Sequence, residues 1–328
     1  MAHELEIING QAQMFSVKET PWHNLGHIVQ DAPTIAAGIK LAGLDWQVVE
    51  QALYTQDGIR VNHKAIIRET DKSVLGVVGQ DYAPVQNNKA FEFFQPFIES
   101  GECTLETAGS LRGGKRIWIL AKINRDPIKV KNNDIIDKYL LLSNGHDGNS
   151  AVKVGFTPIR VVCANTLAMT DLKGIANQLI RIYHTKEVNN NLDTIRETID
   201  AANQRFEANA EVYQFLASRG VNRQDLDQFV QRVFFPHVDL TNNETSQRQK
   251  TRIANMNETI MRLFETGYGN NENNVNGTYY ALYNAATQYL SYEAGRSDDT
   301  RIDSLWFGQS VNKNKKALDV ALELANAA

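Results

Sequence analysis

The hydrophobic period changes once along this chain, and that change limits the fold more than any other feature. Up to about Lys186, apolar residues alternate or come in short β-branched runs, as in "IRVNHKAIIRET" and "RIWILAKI". Beyond it they recur at helical spacing: from Leu192 through Ile195, Ile199, Ala202 and Phe206 to Tyr213 and Leu216 they form one stripe, stopped by Gly220. The expected fold class is therefore α+β, with a mainly antiparallel sheet and a few helices in residues 1–186 and a helical region over 187–328.

Turn chemistry supports the antiparallel reading. Asp57-Gly58 separates two strand-like runs, Gly113-Gly114 sits in "LRGGK" between "TLETAGS" and "RIWILAKI", and "HDGN" joins "YLLLSNG" to "AVKVGFTPIRVVC". In "NNKAFEFFQPFIESG", Ala90, Phe93, Phe94 and Phe97 share a helical face, and Pro96 shortens or kinks that helix. Asn165 and Thr166 are candidate caps for "TLAMTD", and "LIRIYH" reads as a last short strand. In the second half Asn222 caps "RQDLDQFVQRVFF", which Pro236 stops. Three more helices follow, in "TSQRQKTRIANMNETIMRLFET", "TYYALYNAATQYLSYEAG" and "NKNKKALDVALELANAA". The tyrosines Tyr279, Tyr280, Tyr283, Tyr289 and Tyr292 read as helix packing.

Composition excludes several function classes. No apolar run approaches the roughly 18 residues of a membrane span, and "MAHELEIING" has no signal-peptide layout, so a cytoplasmic chain with no membrane partner is expected. The two cysteines, Cys103 and Cys163, form no CxxC or Cys/His cluster, which points to no metal site, and Cys163 in its apolar run reads as a core residue. Walker A, GxSxG and HExxH patterns are missing, so no cofactor is implied. The net charge is −4, but it is uneven: residues 1–186 hold 20 basic and 19 acidic side chains, and 112–138 hold eight basic against three acidic. A local cationic patch matters more than the total for phosphate contact.

Two sets of candidate residues emerge. Arg112, Lys115, Arg116, Lys122 and Arg125, with Arg160 in "TPIRVVC", would hold phosphates, and Trp118 or Trp22 would stack bases. Arg116 and Trp118 share a face by alternation. The same hairpin also reads as a solvated turn. The second set, His23, His146, Asp147 and His184, would serve an enzyme, for instance a hydrolase. Each has a structural alternative: a turn stitched by Asp147, a Trp22 that pins the N-terminal arm, an Arg160 paired with a buried acid.

Several longer motifs carry a resemblance. "PWHNLG", "VVGQDYAPVQN", "ETAGSLRGGKRIW", "SNGHDGNSAVKVGFTPIRVVCANTL" and "NGTYYALYNAATQYLSY" together resemble the phage/plasmid-like family called domain of unknown function 932. The family's last motif often ends in an acid and a His, where this chain has Ser291 and Tyr292. The resemblance implies a mobile-element setting in a bacterial host and carries over no catalytic residue. With the basic hairpin it suggests a DNA-metabolism accessory that binds or anneals single-stranded DNA in recombination, Rad52-like in general layout, and forms a homo-oligomer. An enzyme with the His/Asp set and a structural or host-interaction protein remain the alternatives, the latter expecting an apolar patch on the helices.

Overall fold

The computed structural model describes residues 5–18, 26–131, 134–160, 165–166, 180–188, 199–238, 246–270, 275–295, 304–305 and 308–328. Strands predominate before Lys186 and helices after Ile199. The chain forms two compact units, each built from several segments: residues 1–125, 139–156 and 178–202 in the first, residues 126–138, 157–177 and 203–328 in the second.

The first unit opens with a short hairpin, β1 (Ile7–Ile8) and β2 (Gln11–Ala12), followed by β3 (Met14–Val17) and β4 (His27–Val29). After α1 (Ile35–Leu41), the strands β5 (Val48–Tyr54), β6 (Arg60–Arg68) and β7 (Val74–Val78) make a three-stranded antiparallel sheet. The Asp57-Gly58 turn joins its first two strands, with Gly58 at φ +79°, as the dipeptide demands.

The single helix expected over "NNKAFEFFQPFIESG" is two: α2 (Asn87–Glu92) and α3 (Gln95–Glu99). Pro96 lies in the first turn of α3, where its missing N–H costs nothing, so it starts a helix instead of bending one. Ala90, Phe91, Phe93, Phe94 and Phe97 are all buried, each large ring contributing on the order of 2 kcal/mol.

The large sheet follows with β8 (Cys103–Leu111), β9 (Arg116–Ile123), β10 (Ile128–Lys129), β11 (Ile135–Gly145), β12 (Val152–Arg160), β13 (Asn165–Thr166) and β14 (Ile180–Ile182). Its path runs β13-β12-β11-β9-β8-β3-β4, with β14 on β12 and β10 on β11. Every pairing with a given register is antiparallel except β3 with β4. α1 and α3 pack on β8. Asn165 and Thr166 pair with Arg160 and Ile159 as β13; residues 167–171, over which the helix they are expected to cap would run, lie outside the described set.

The second unit is mainly helical. α4 (Ile199–Ser218) is followed by α5 (Arg223–Phe234), α6 (Gln247–Thr266), α7 (Tyr279–Gln288) and α8 (Gln309–Ala327). Asn222 caps α5 in a full capping box with Asp225, and Ser246 does the same for α6 with Gln249. α7 continues into a π-helical turn, Tyr289–Glu293, closed by a two-oxygen ion pair from Arg262 to Glu293 at 2.7 Å. Tyr279, Tyr280 and Tyr283 are fully buried, with Tyr213 stacked parallel to Tyr283 at 6.4 Å. Tyr268 is the one large apolar side chain on the described helical region that is strongly exposed. No helix among the described residues is long and apolar enough to cross a membrane.

Candidate nucleic-acid interface

Three stretches far apart in sequence meet in the first unit. The first is the tip of the β8–β9 hairpin. Leu111 pairs with Arg116, so the turn consists of residues 112–115, and Arg112, Gly113 and Gly114 all have positive φ (56°, 63° and 84°). Two consecutive glycines make that path inexpensive. Gly114 has a second reason to lack a side chain, because the Arg68 guanidinium occupies the space a Cβ would need.

Arg68 is the anchor of the tip. It is 2% exposed, donates to the Gly113 carbonyl at 2.6 Å, pairs with Glu6 at 2.6 Å and lies 4.6 Å above the Trp46 ring. A buried guanidinium that bonds the turn carbonyl and a buried carboxylate through one terminal nitrogen ties the turn to the body of the unit. Arg112 and Lys115 remain exposed on it.

The second stretch is the β11–β12 loop, "HDGNS". The His146 amide donates to the Lys115 carbonyl at 2.8 Å, which ties the loop to the hairpin tip. Asp147 Oδ1 accepts from the amides of Asn149 at 2.9 Å and Ser150 at 3.0 Å, an Asx turn. Arg116 donates to Ser150 Oγ at 2.5 Å. The third stretch is β7. The loop backbone approaches it so closely that a Cβ on Gly76 would stand 2.7–2.8 Å from the Asp147 backbone. Between the three lies an open cavity of about 510 Å³, lined by Leu75, Gly76, Val77, Arg112, Lys115, Asp147 and Asn149.

Beneath the loop the histidines are buried. Asn87 uses its amide nitrogen on the carbonyls of Leu44 and Trp46, so its Oδ1 faces His146 Nε2 at 2.9 Å as an acceptor. His146 therefore carries its proton on Nε2, and Nδ1 has no hydrogen-bond partner. Burial, with His184 and Arg68 nearby, pushes its pKa down to about 3. His184 Nδ1 donates to the Ala83 carbonyl at 3.1 Å, and its ring stacks on Tyr82 at 4.6 Å. Burial lowers its pKa too, against the pull of the Ala83 and Ser150 carbonyls and Asp147. Tyr82 in turn donates to the Gly145 carbonyl at 2.8 Å.

A family model, Domain of unknown function (DUF932), matches residues 74–317. The chain belongs to this family. No curated protein and no solved structure matches it. In this DUF932 member the matched stretch includes all three walls of the cavity, from β7 through the hairpin tip to the loop.

The sequence-predicted residues divide unevenly. Arg112, Lys115 and Asp147 come together around the cavity, and Asn149, not among the candidates, joins them. Trp118 is only 2% exposed and offers no face to a base, which corrects its expected stacking role. Arg116 is 7% exposed and turned to Ser150, so it props the loop from within, a correction to its expected phosphate contact. The cause is the same for both: β9 is an inner strand, between β8 and β11, and its residues from Arg116 to Ala121 are buried whichever face they take. Lys122 is half-buried, and Arg125 is exposed 3.7 Å from Glu102. His23, Trp22, Cys163 and the side chain of Arg160 lie outside the described residues.

Of the expected His/Asp set, His146, Asp147 and His184 are neighbours, with His146 turned into the core and Asp147 toward the cavity, as alternation requires. A neutral, buried His146 bound to Asn87 is poorly suited to proton transfer near neutral pH. No group of three His, Cys, Asp or Glu suited to a metal occurs among the described residues.

Proposed function

We propose that this DUF932 protein is a DNA-metabolism accessory of a phage or plasmid, working in the cytoplasm of a bacterial host and binding single-stranded DNA at the mouth of the cavity. One observation carries the reading: two exposed cations, Arg112 and Lys115, stand on a turn anchored by Arg68, beside a cavity of about 510 Å³. That volume suits a nucleotide-sized group, since ligand sites run from roughly 300 to 1,000 Å³. The two cations hold phosphate, and Asn149 adds polar contact. The Asp147 carboxylate is engaged by two backbone amides, which limits its repulsion of a phosphate. No bond is made or broken in this activity. Joining of complementary strands in recombination would follow if copies of the chain assemble and hold two strands together.

The net charge of −4 makes the affinity modest, and the phosphate contacts make it fall as salt rises. Fluorescence anisotropy with a labelled oligonucleotide across a salt series tests this. Each phosphate contact on a single strand contributes about 0.7 to the logarithmic salt slope, so R112A/K115A should flatten it by about 1.4. No binding of the wild-type protein at low salt overturns the proposal.

A further inference from the structure

The β12–β14 edge of the same unit carries a second cationic and aromatic surface. β14 pairs with β12 in the register Val152 with Ile182, Lys153 with Arg181 and Val154 with Ile180. Val152, Val154 and Ile182 are buried, which fixes one face of this ribbon against the core and turns Lys153 and Arg181 to the other. Two like charges set directly opposite each other on a strand pair cost stability. Arg116 acts on Lys153 as a third cation, and Asp147 is the acid in the same field. Burial and these two arginines pull the Lys153 pKa down to about 8. A sheet edge that concentrates positive charge in this way suits an anion.

Two residues beyond Arg181 stands Tyr183, at 69% the most exposed of the large apolar and aromatic side chains on the described surface. The β11–β12 loop connects this edge to the cavity: Asp147 lines the cavity and also lies in the field of Lys153. Asp147 thus adjoins both the cavity and the Lys153–Arg181 pair.

We propose that the β12–β14 edge is a second contact for single-stranded DNA, in which Lys153 and Arg181 hold a phosphate and the Tyr183 ring stacks on an adjacent base. This deepens the function proposed above and rests on it. Stacking on one ring accepts any base, so the contact adds affinity without sequence preference.

The test uses the full chain, a fluorescent oligonucleotide of about 20 thymidines and its abasic counterpart. Tyr183→Ala should weaken binding of the thymidine strand about tenfold and leave the abasic strand unchanged, whereas Tyr183→Phe should bind like wild type. K153A/R181A should lower the salt slope by about 0.7 on both strands, the loss of one phosphate contact. Circular dichroism confirms that each variant is folded. If Tyr183→Ala and K153A/R181A bind like wild type while R112A/K115A is weakened, the edge contact is wrong and the cavity reading stands. If the edge variants weaken binding and R112A/K115A does not, the edge is the site and the cavity reading fails. Wild-type protein that binds neither strand at low salt overturns both.

Discussion

Acidification should destabilise the first unit through His146. Its ring is buried and neutral, with Nε2–H donating to Asn87 and Nδ1 unpartnered. Its pKa is depressed from 6.5 to about 3. The unfolded chain therefore binds a proton below about pH 6.5 that the folded chain refuses until about pH 3, and stability falls as pH drops through that window. Each pH unit costs about 1.4 kcal/mol per proton, so about pH 4.5, two units into the window, costs about 3 kcal/mol. His184, also depressed, adds loss in the same direction. Urea unfolding followed by tryptophan fluorescence suits the assay, because Trp46 packs edge-to-face on His146 at 5.4 Å. His146→Gln cannot titrate. It should be less stable at neutral pH, having lost the ring packing, yet lose about 3 kcal/mol less than wild type between about pH 7 and about pH 4.5. Parallel losses in the two proteins would refute the reasoning.

Three further outcomes are expected. Gly76→Ala should cost about 1–3 kcal/mol, because the new Cβ meets the Asp147 backbone, and should weaken oligonucleotide binding by moving the loop; chemical denaturation and anisotropy measure the two effects. Arg68→Met should cost about 3–5 kcal/mol in the same denaturation assay, since Glu6, 8% exposed, loses its buried cation and the hairpin tip its anchor. Tyr279→Phe should cost about 1–2 kcal/mol by removing the 2.6 Å bond to Asp225, with faster amide exchange in α5 as the local readout.

Much of this fold is legible in local sequence because local physics sets it. Asp57-Gly58 and Gly113-Gly114 turn where their backbone freedom allows, and Asn222 starts a helix because its side chain satisfies an orphan amide. α1 carries a weaker signal: its seven residues are too few to show a period, though Thr34 caps it. The break between α2 and α3 depends on which turn Pro96 occupies, which the residue's presence alone does not tell.

Family membership, the α+β class and the exposed cations of a glycine turn are properties of sequence by itself. Which face of a strand meets solvent is not. Alternation puts Arg116 and Trp118 on one side of β9, but what packs on that face of the sheet decides whether it is open, and here both residues are buried. The cavity follows the same rule. Its walls come from residues 75–77, 112–115 and 147–149, and no pattern within any one of them encodes the others. Tertiary structure brings them together through the Arg68 contact with Gly113, the His146 amide on Lys115 and the absent side chain of Gly76. Such contacts join residues far apart in sequence, and only the folded chain brings them within reach of one another.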